Sequence, residues 1–158
     1  MKRREFIRNS GVLLAALASP FASPIALAAE ESAVIYLSPI KTNGALSRCQ
    51  SEVWFVQDAA DMVIVTAPTT WRAQAVAKGL KRTQVWVGDV GEWQSSDGRY
   101  KDLPSLVANA AHITDASEHA RVLEKFGAKY VSEWGTWGPR FAQGLADESR
   151  VMLRYRPV

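Results

Sequence analysis

Cysteine is almost missing from the chain: Cys49 is alone among 158 residues, which excludes an internal disulfide. Histidine is nearly as scarce, with only His112 and His119. Neither stands near cysteine or clustered carboxylates at ligand spacing, so no metal centre is expected. A glycine-rich phosphate loop and a dinucleotide fingerprint are both absent, and no nucleophile-elbow pattern surrounds any serine. Long hydrophobic runs are lacking too. The apolar stretch from Gly11 to Ala18 is short and is followed by Pro20 and Pro24, which does not suit a membrane span.

An excess of charge also disappears on inspection. The whole chain carries 19 Lys+Arg against 16 Asp+Glu. Residues 1–28 hold four of the basic residues (Lys2, Arg3, Arg4, Arg8) and one of the acidic ones (Glu5), which leaves fifteen of each sign beyond them. The remainder is neutral and offers no basic footprint for nucleic acid. Those first residues read as an export signal: a basic head, a short apolar run, and Ala26-Leu27-Ala28 as a small-x-small cleavage site. The Arg3-Arg4 pair followed by Glu5-Phe6-Ile7 resembles the twin-arginine type, which carries folded proteins across a bacterial inner membrane. An uncleaved anchor is the other reading of the same pattern. Export through the twin-arginine machinery to the periplasm is the expectation, with residues 29–158 as a single domain of ordinary size.

Within that domain the organising stretch runs from Glu52 to Asp89. Val53 to Val56 and Met62 to Thr66 predict two strands, with Asp58-Ala59-Ala60-Asp61 as the hairpin loop between them. Trp71 to Leu80 predicts a short helix fraying at Gly79, and Gln84 to Val87 a further strand. Ala33 to Leu37 opens the domain as a strand, with Asn43-Gly44 as a turn before Ala45 to Gln50 lead into the next. Gly91 to Lys101 is turn-rich, with Asp97-Gly98 as a hairpin tip. Leu106-Val107 and Ala110 to Thr114 predict a strand or a bent pair. Asp115 or Ser117 would cap a helix from Glu118 to Phe126, stopped at Gly127. Ser132 to Gly138 is too glycine-broken for an assignment, Arg140 to Ala146 gives one or two helical turns, and Val151 to Tyr155 is the last strand. Six short strands and two helices, mostly at hairpin spacing, point to a closed or half-open antiparallel barrel with helices at its side.

The chemistry concentrates in Thr66-Ala67-Pro68-Thr69-Thr70-Trp71-Arg72. Hydroxyls and backbone amides at a helix start, with a guanidinium fork beside them, suit a phosphate group. The plain alternative is a strand exit, an N-cap and a surface charge. Trp54, Trp71 and Trp86 have core packing as their plain alternative, and Lys78, Lys81 and Arg82 a solvated helix end. Cys49, preceded by Arg48, is either a reactive thiol or a buried one.

The order of these features, from a valine-aromatic strand through a hairpin, a strand ending in Thr66 and a hydroxyl-basic step to a strand ending Trp86-Val87-Gly88, resembles the pyridoxamine 5'-phosphate oxidase-like proteins. These are mainly β, FMN-binding split β-barrels of Greek-key-like antiparallel form with flanking helices. The resemblance covers Tyr36 to Thr114, and the C-terminal quarter less closely. It implies that Thr66 ends the third strand at the flavin phosphate. It also implies that Thr70-Trp71-Arg72 stands for the family's phosphate-gripping step, with Trp71 where many members carry a second basic residue. Arg72 would then be the main ligand and Lys78 its support. Trp54 and Trp86 would lie on strands beside the flavin ring, and a homodimer interface would give Trp134 and Trp137 a use. The implied function is a periplasmic flavin-dependent oxidoreductase acting on a small-molecule substrate. The alternative is a non-catalytic protein holding flavin, deazaflavin or haem on the same barrel. No residue stands out as a catalytic proton carrier.

Overall fold

The computed structural model describes residues 23–48 and 51–158. Residues 1–22, Cys49 and Gln50, and with them the basic head of the expected export signal and the thiol, lie outside the described residues. Among the described residues seven strands form one antiparallel sheet in the order β2-β1-β5-β6-β7-β4-β3. These are β1 (Val34–Pro39), β2 (Ser51–Trp54), β3 (Val56–Asp58), β4 (Asp61–Thr66), β5 (Arg82–Val87), β6 (Ser105–Ile113) and β7 (Val151–Pro157). The helices are α1 (Pro24–Glu31), α2 (Trp71–Ala77), α3 (Ala116–Lys129) and α4 (Val131–Ala146). The sheet curls into a nearly closed split barrel, as expected, with one more strand and two more helices than the sequence reading counted.

The extra strand arises where one was expected. Val53 to Val56 is not a single strand: β2 and β3 stand at opposite ends of the strand order and only Phe55 separates them. The barrel is therefore split at a point where one continuous segment supplies both edges. Phe55 is fully buried, and the Tyr130 hydroxyl serves its backbone.

Strand alternation builds two apolar layers. Ile35, Leu37, Met62, Ile64, Leu153 and Tyr155 point into the barrel, where Met62 faces Tyr155 and Ile64 faces Leu153 across the β4–β7 ladder. Ala29 from α1 joins this interior cluster, as do Ala73 and Val76 from α2. The residues between them, Val63, Val65 and Met152, face outward and are covered by Val122 and Phe126 of α3 and Phe141 of α4. On another flank Tyr36 and Trp86 pack beneath Tyr100.

Several boundaries differ from the sequence reading. Asp97 and Gly98 both adopt left-handed backbone, at φ 53° and 79°, but they lead into a 3₁₀ turn, Arg99–Asp102, rather than a hairpin. Ser105–Ile113 is one unbroken strand, because it pairs with β5 on one side and β7 on the other. Helix α2 ends at Ala77, short of Leu80. Asp115 caps α3, accepting from the Glu118 amide at 2.8 Å, yet the helix passes Gly127 and runs to Lys129. The glycine-broken stretch is a single sixteen-residue helix that carries Pro139 in its interior.

Gly127 and Gly138 explain why. The Trp134 indole lies against both, and a methyl group would come within 2.7 Å of it at position 127 and 2.8 Å at position 138. These glycines let an aromatic ring wedge between α3 and α4, so they serve helix contact rather than helix termination.

Candidate functional site

Two features meet where β2 comes close to β4. The first is polar. Thr66 ends β4, and the chain turns through Ala67 to Thr70, where the Thr70 hydroxyl donates to the Ala67 carbonyl at 2.8 Å. Thr70 then takes the N-cap place of α2, with its side chain making no capping bond. Two residues on, Arg72 reaches back: its Nε donates to Thr66 Oγ1 at 2.9 Å and its Nη1 donates to Ser51 Oγ on β2. The two threonine hydroxyls lie 3.3 Å apart. Thr66, Thr70 and Arg72 are thus gathered into one cluster, and the guanidinium bridges β2 and β4.

Tyr155 is fully buried, and its hydroxyl finds no hydrogen-bond partner among the described residues. Burial pushes this phenol well above its ordinary range, an effect that the positive field of Arg72 only partly offsets.

The second feature is aromatic. Trp54 stacks on Tyr130 with ring centres 4.4 Å apart and planes 9° from parallel. It meets Trp137 edge-on at 6.1 Å and Phe141 at 6.5 Å. Val53, Trp54, Val65, Trp137, Phe141 and Arg150 line a cavity of about 360 Å³, within the range of small-molecule sites. The Arg150 guanidinium sits 5.1 Å from the Phe141 ring and 5.8 Å from Trp137. Arg140 approaches Trp137 at 5.1 Å. Gly144 makes room for this arrangement: a methyl group there would lie 2.7 Å from Arg150 Cγ and Cδ.

The remaining sequence candidates fall elsewhere. Trp86 belongs to the flank cluster, edge-on to Tyr100 at 5.3 Å, and does not share a wall with Trp54. Trp71 is half-buried, with the Lys78 ammonium 5.2 Å from its ring. His112 and His119 line a neighbouring cleft of about 340 Å³ that shares Arg150 with the aromatic cavity. His119 Nε2 is 2.7 Å from the Ile113 carbonyl oxygen. Among the described residues no group of three or more metal-ligating side chains occurs.

Ser51, Tyr130, Phe141 and Arg150 were not singled out in the sequence. Trp134, Trp137 and Phe141 do follow helical spacing, but Gly135, Gly138 and Pro139 between them disguise it.

Chemically, the cluster offers hydroxyls and a guanidinium to an anion, and the cavity offers ring faces to a planar group. Among the described residues Arg150 is the only ionisable side chain lining the cavity, and these walls offer no carboxylate or imidazole as a general acid or base.

No family model matches the chain, and no curated protein matches it. Solved structures do. A Listeria innocua protein assigned provisionally as a pyridoxamine 5'-phosphate oxidase aligns at TM-score 0.54 and 14% identity, over 83% of this chain and 88% of its own. The heme storage protein HutZ from Vibrio cholerae aligns at 0.54 and 14% identity, over 87% and 90%. General stress protein 26 from Bacillus anthracis aligns at 0.55 and 12% identity, over 85% and 86%. The chain has the split-barrel fold of the pyridoxamine 5'-phosphate oxidase-like proteins. At such identities the likeness concerns architecture alone.

Proposed function

We propose that this chain is an exported, homodimeric flavoprotein that binds FMN and acts as a periplasmic oxidoreductase on a small molecule. The observation that carries the reading is the adjacency of its two features. Val53 and Val65 wall the aromatic cavity, while Ser51 and Thr66, two and one residues away on the same strands, hold Arg72. A planar ring in the cavity would have its phosphate-bearing tail within reach of Thr66, Thr70 and Arg72, which is the donor set such a group requires. The residues fit a phosphorylated planar cofactor. Bound there, FMN would supply the electron chemistry, and the protein would supply position and electrostatics. Trp54, Trp137 and Phe141 would orient the ring and keep water from it. Arg72 would hold the phosphate, and Arg150 would place positive charge at the cavity rim.

The absence of an acid or base from the cavity wall favours a second reading, a non-catalytic carrier of flavin, deazaflavin or haem on the same barrel. HutZ, a heme storage protein, shares the fold, and His112 in the adjoining cleft is an imidazole of the kind haem iron takes.

The test compares FMN with riboflavin. We expect the purified protein to bind FMN at least about tenfold more tightly than riboflavin, the minimum for one charge-assisted phosphate contact. Arg72→Ala should erase that preference, and Trp137→Ala should weaken both ligands. A Soret band in the native protein would select the haem reading. Failure to take up any flavin would overturn the flavoprotein proposal.

A further inference from the structure

The leader's cleavage segment is folded into the barrel. Residues 24–28, which the sequence assigns to the removable signal, form most of α1. Ser23 caps this helix, accepting from the Ala26 amide at 3.2 Å, and Pro24 takes its first turn. Ala29, the residue after the Ala26-Leu27-Ala28 site, is 1% exposed inside the barrel cluster, and Ile25 and Ala28 pack against the same cluster. Downstream the segment is fastened twice. The Ser32 amide donates to the Ala28 carbonyl at 2.9 Å, and Lys129 Nζ reaches the Ala29 carbonyl at 3.5 Å.

This geometry does not suit a processing protease. A small-x-small site is read with both small side chains presented together, as they are on one face of an extended strand. In a helix, residues two apart point about 200° away from each other, so Ala26 and Ala28 face different ways. The residue on the far side of the scissile bond is inside the protein.

We propose that the folded barrel controls its own processing: α1 plugs one end of the barrel and withholds the Ala28–Ala29 bond until the helix unwinds and Ala29 leaves the interior. The step itself is ordinary hydrolysis. Water adds across the peptide bond, giving a carboxylate at Ala28 and a new amino terminus at Ala29. What the fold sets is how often the bond is presented. An eight-residue helix is marginal without its packing, so the opening is local and leaves the rest of the barrel intact. The inference rests on the export reading of residues 1–28 and is independent of the cofactor.

The experiment uses the full-length precursor in detergent micelles with a bacterial signal peptidase, beside a synthetic peptide spanning residues 19–35. We expect the peptide to be cut between Ala28 and Ala29, and the folded precursor to be cut at least about tenfold more slowly, the signature of a rate set by local opening. Ile25→Ser, which removes an apolar contact outside the small-x-small pair, should speed cleavage of the precursor and leave that of the peptide unchanged. Amide exchange supplies an independent readout. The Ser32 N–H should be protected in the precursor and exchange faster in Ile25→Ser, while the amides of β4 and β7 keep their protection. Equal cleavage of peptide and precursor, or a Ser32 amide that exchanges freely, would overturn the inference. A peptide that is not cut at all would overturn the export reading beneath it.

Discussion

The Tyr130 hydroxyl services the backbone of Phe55 from both sides, accepting its amide at 2.9 Å and lying 2.8 Å from its carbonyl oxygen. It also lies 2.7 Å from the Ala33 carbonyl oxygen at the start of β1. A residue between two strand edges has no ladder partner of its own, so one phenol from the α3–α4 junction takes that place. Burial raises the Tyr130 pKa far above the ordinary phenol range, which keeps the proton available for donation.

Tyr130→Phe isolates that service, because the ring stacked on Trp54 is retained. The Phe55 amide would be left buried and unpaired, at a cost of about 1–3 kcal/mol. Denaturant titration should show a lower midpoint with an unchanged slope.

Asp58 holds the β3–β4 hairpin to its neighbours, with Arg121, Lys125 and Arg154 at 2.7, 3.0 and 2.6 Å. Arg121 first, and then Lys125, hold its carboxyl well below the usual carboxylate range against the opposing effect of burial. An unfolded aspartate takes up its proton near pH 3.8. The stabilisation is therefore present above that pH and is lost as the pH falls beneath it. Asp58→Asn should lower the midpoint at neutral pH and flatten the acid limb of a stability–pH curve. The difference should shrink in 1 M salt, where screening acts over about 3 Å.

Lys129 titrates in the opposite sense. Its ammonium lies 3.5 Å from the centre of the Phe55 ring, and burial lowers its pKa from 10.5 to about 8. Below about pH 8 both folded and unfolded states carry the proton and the burial cost is fully present. Between about 8 and 10.5 the unfolded state binds more protons, so stability rises with pH. The cation–π contact offsets part of that cost, and solvent reaching the half-buried ammonium screens more of it. Lys129→Met should be more stable than the parent at pH 7, with the gap narrowing steadily between about pH 8 and 10.5, by thermal melts across that range.

Two glycines of α4 make a paired test of helix packing. Gly138→Ala drives a methyl group to 2.8 Å from the Trp134 indole and should cost about 1–3 kcal/mol. Gly135→Ala meets nothing within 4 Å and should stabilise by about 0.5–1 kcal/mol. Chemical denaturation followed by tryptophan fluorescence gives both signs, with the emission shifted in the first variant alone.

The strands were legible wherever alternation carried the signal. Ile35 and Leu37, Met62 and Ile64, and Val85 and Val87 each place side chains two apart into the interior, and that period can be counted on the page. The helices were less so. Gly127, Gly135, Gly138 and Pro139 argue against a helix by propensity, and tertiary contact overrides them by seating Trp134 between α3 and α4. The strand break at Phe55 left no local mark, because its cause lies in Tyr130, seventy-five residues later. At the site, Thr66, Thr70 and Arg72 are near enough in sequence for local chemistry to place them together. The aromatic cavity assembles Trp54 with Trp137 and Phe141 from the far end of the chain, a juxtaposition that no local window contains.

The split at Phe55 also bears on how the molecule behaves among its own kind. An ordinary open sheet presents two independent borders, each a template for a stray strand. Here the edge strands are four and three residues long and are successive parts of one segment, joined through Phe55. The barrel has a clasp where a sheet would have selvedges, and a neighbouring copy finds little length of unpaired backbone on which to grow.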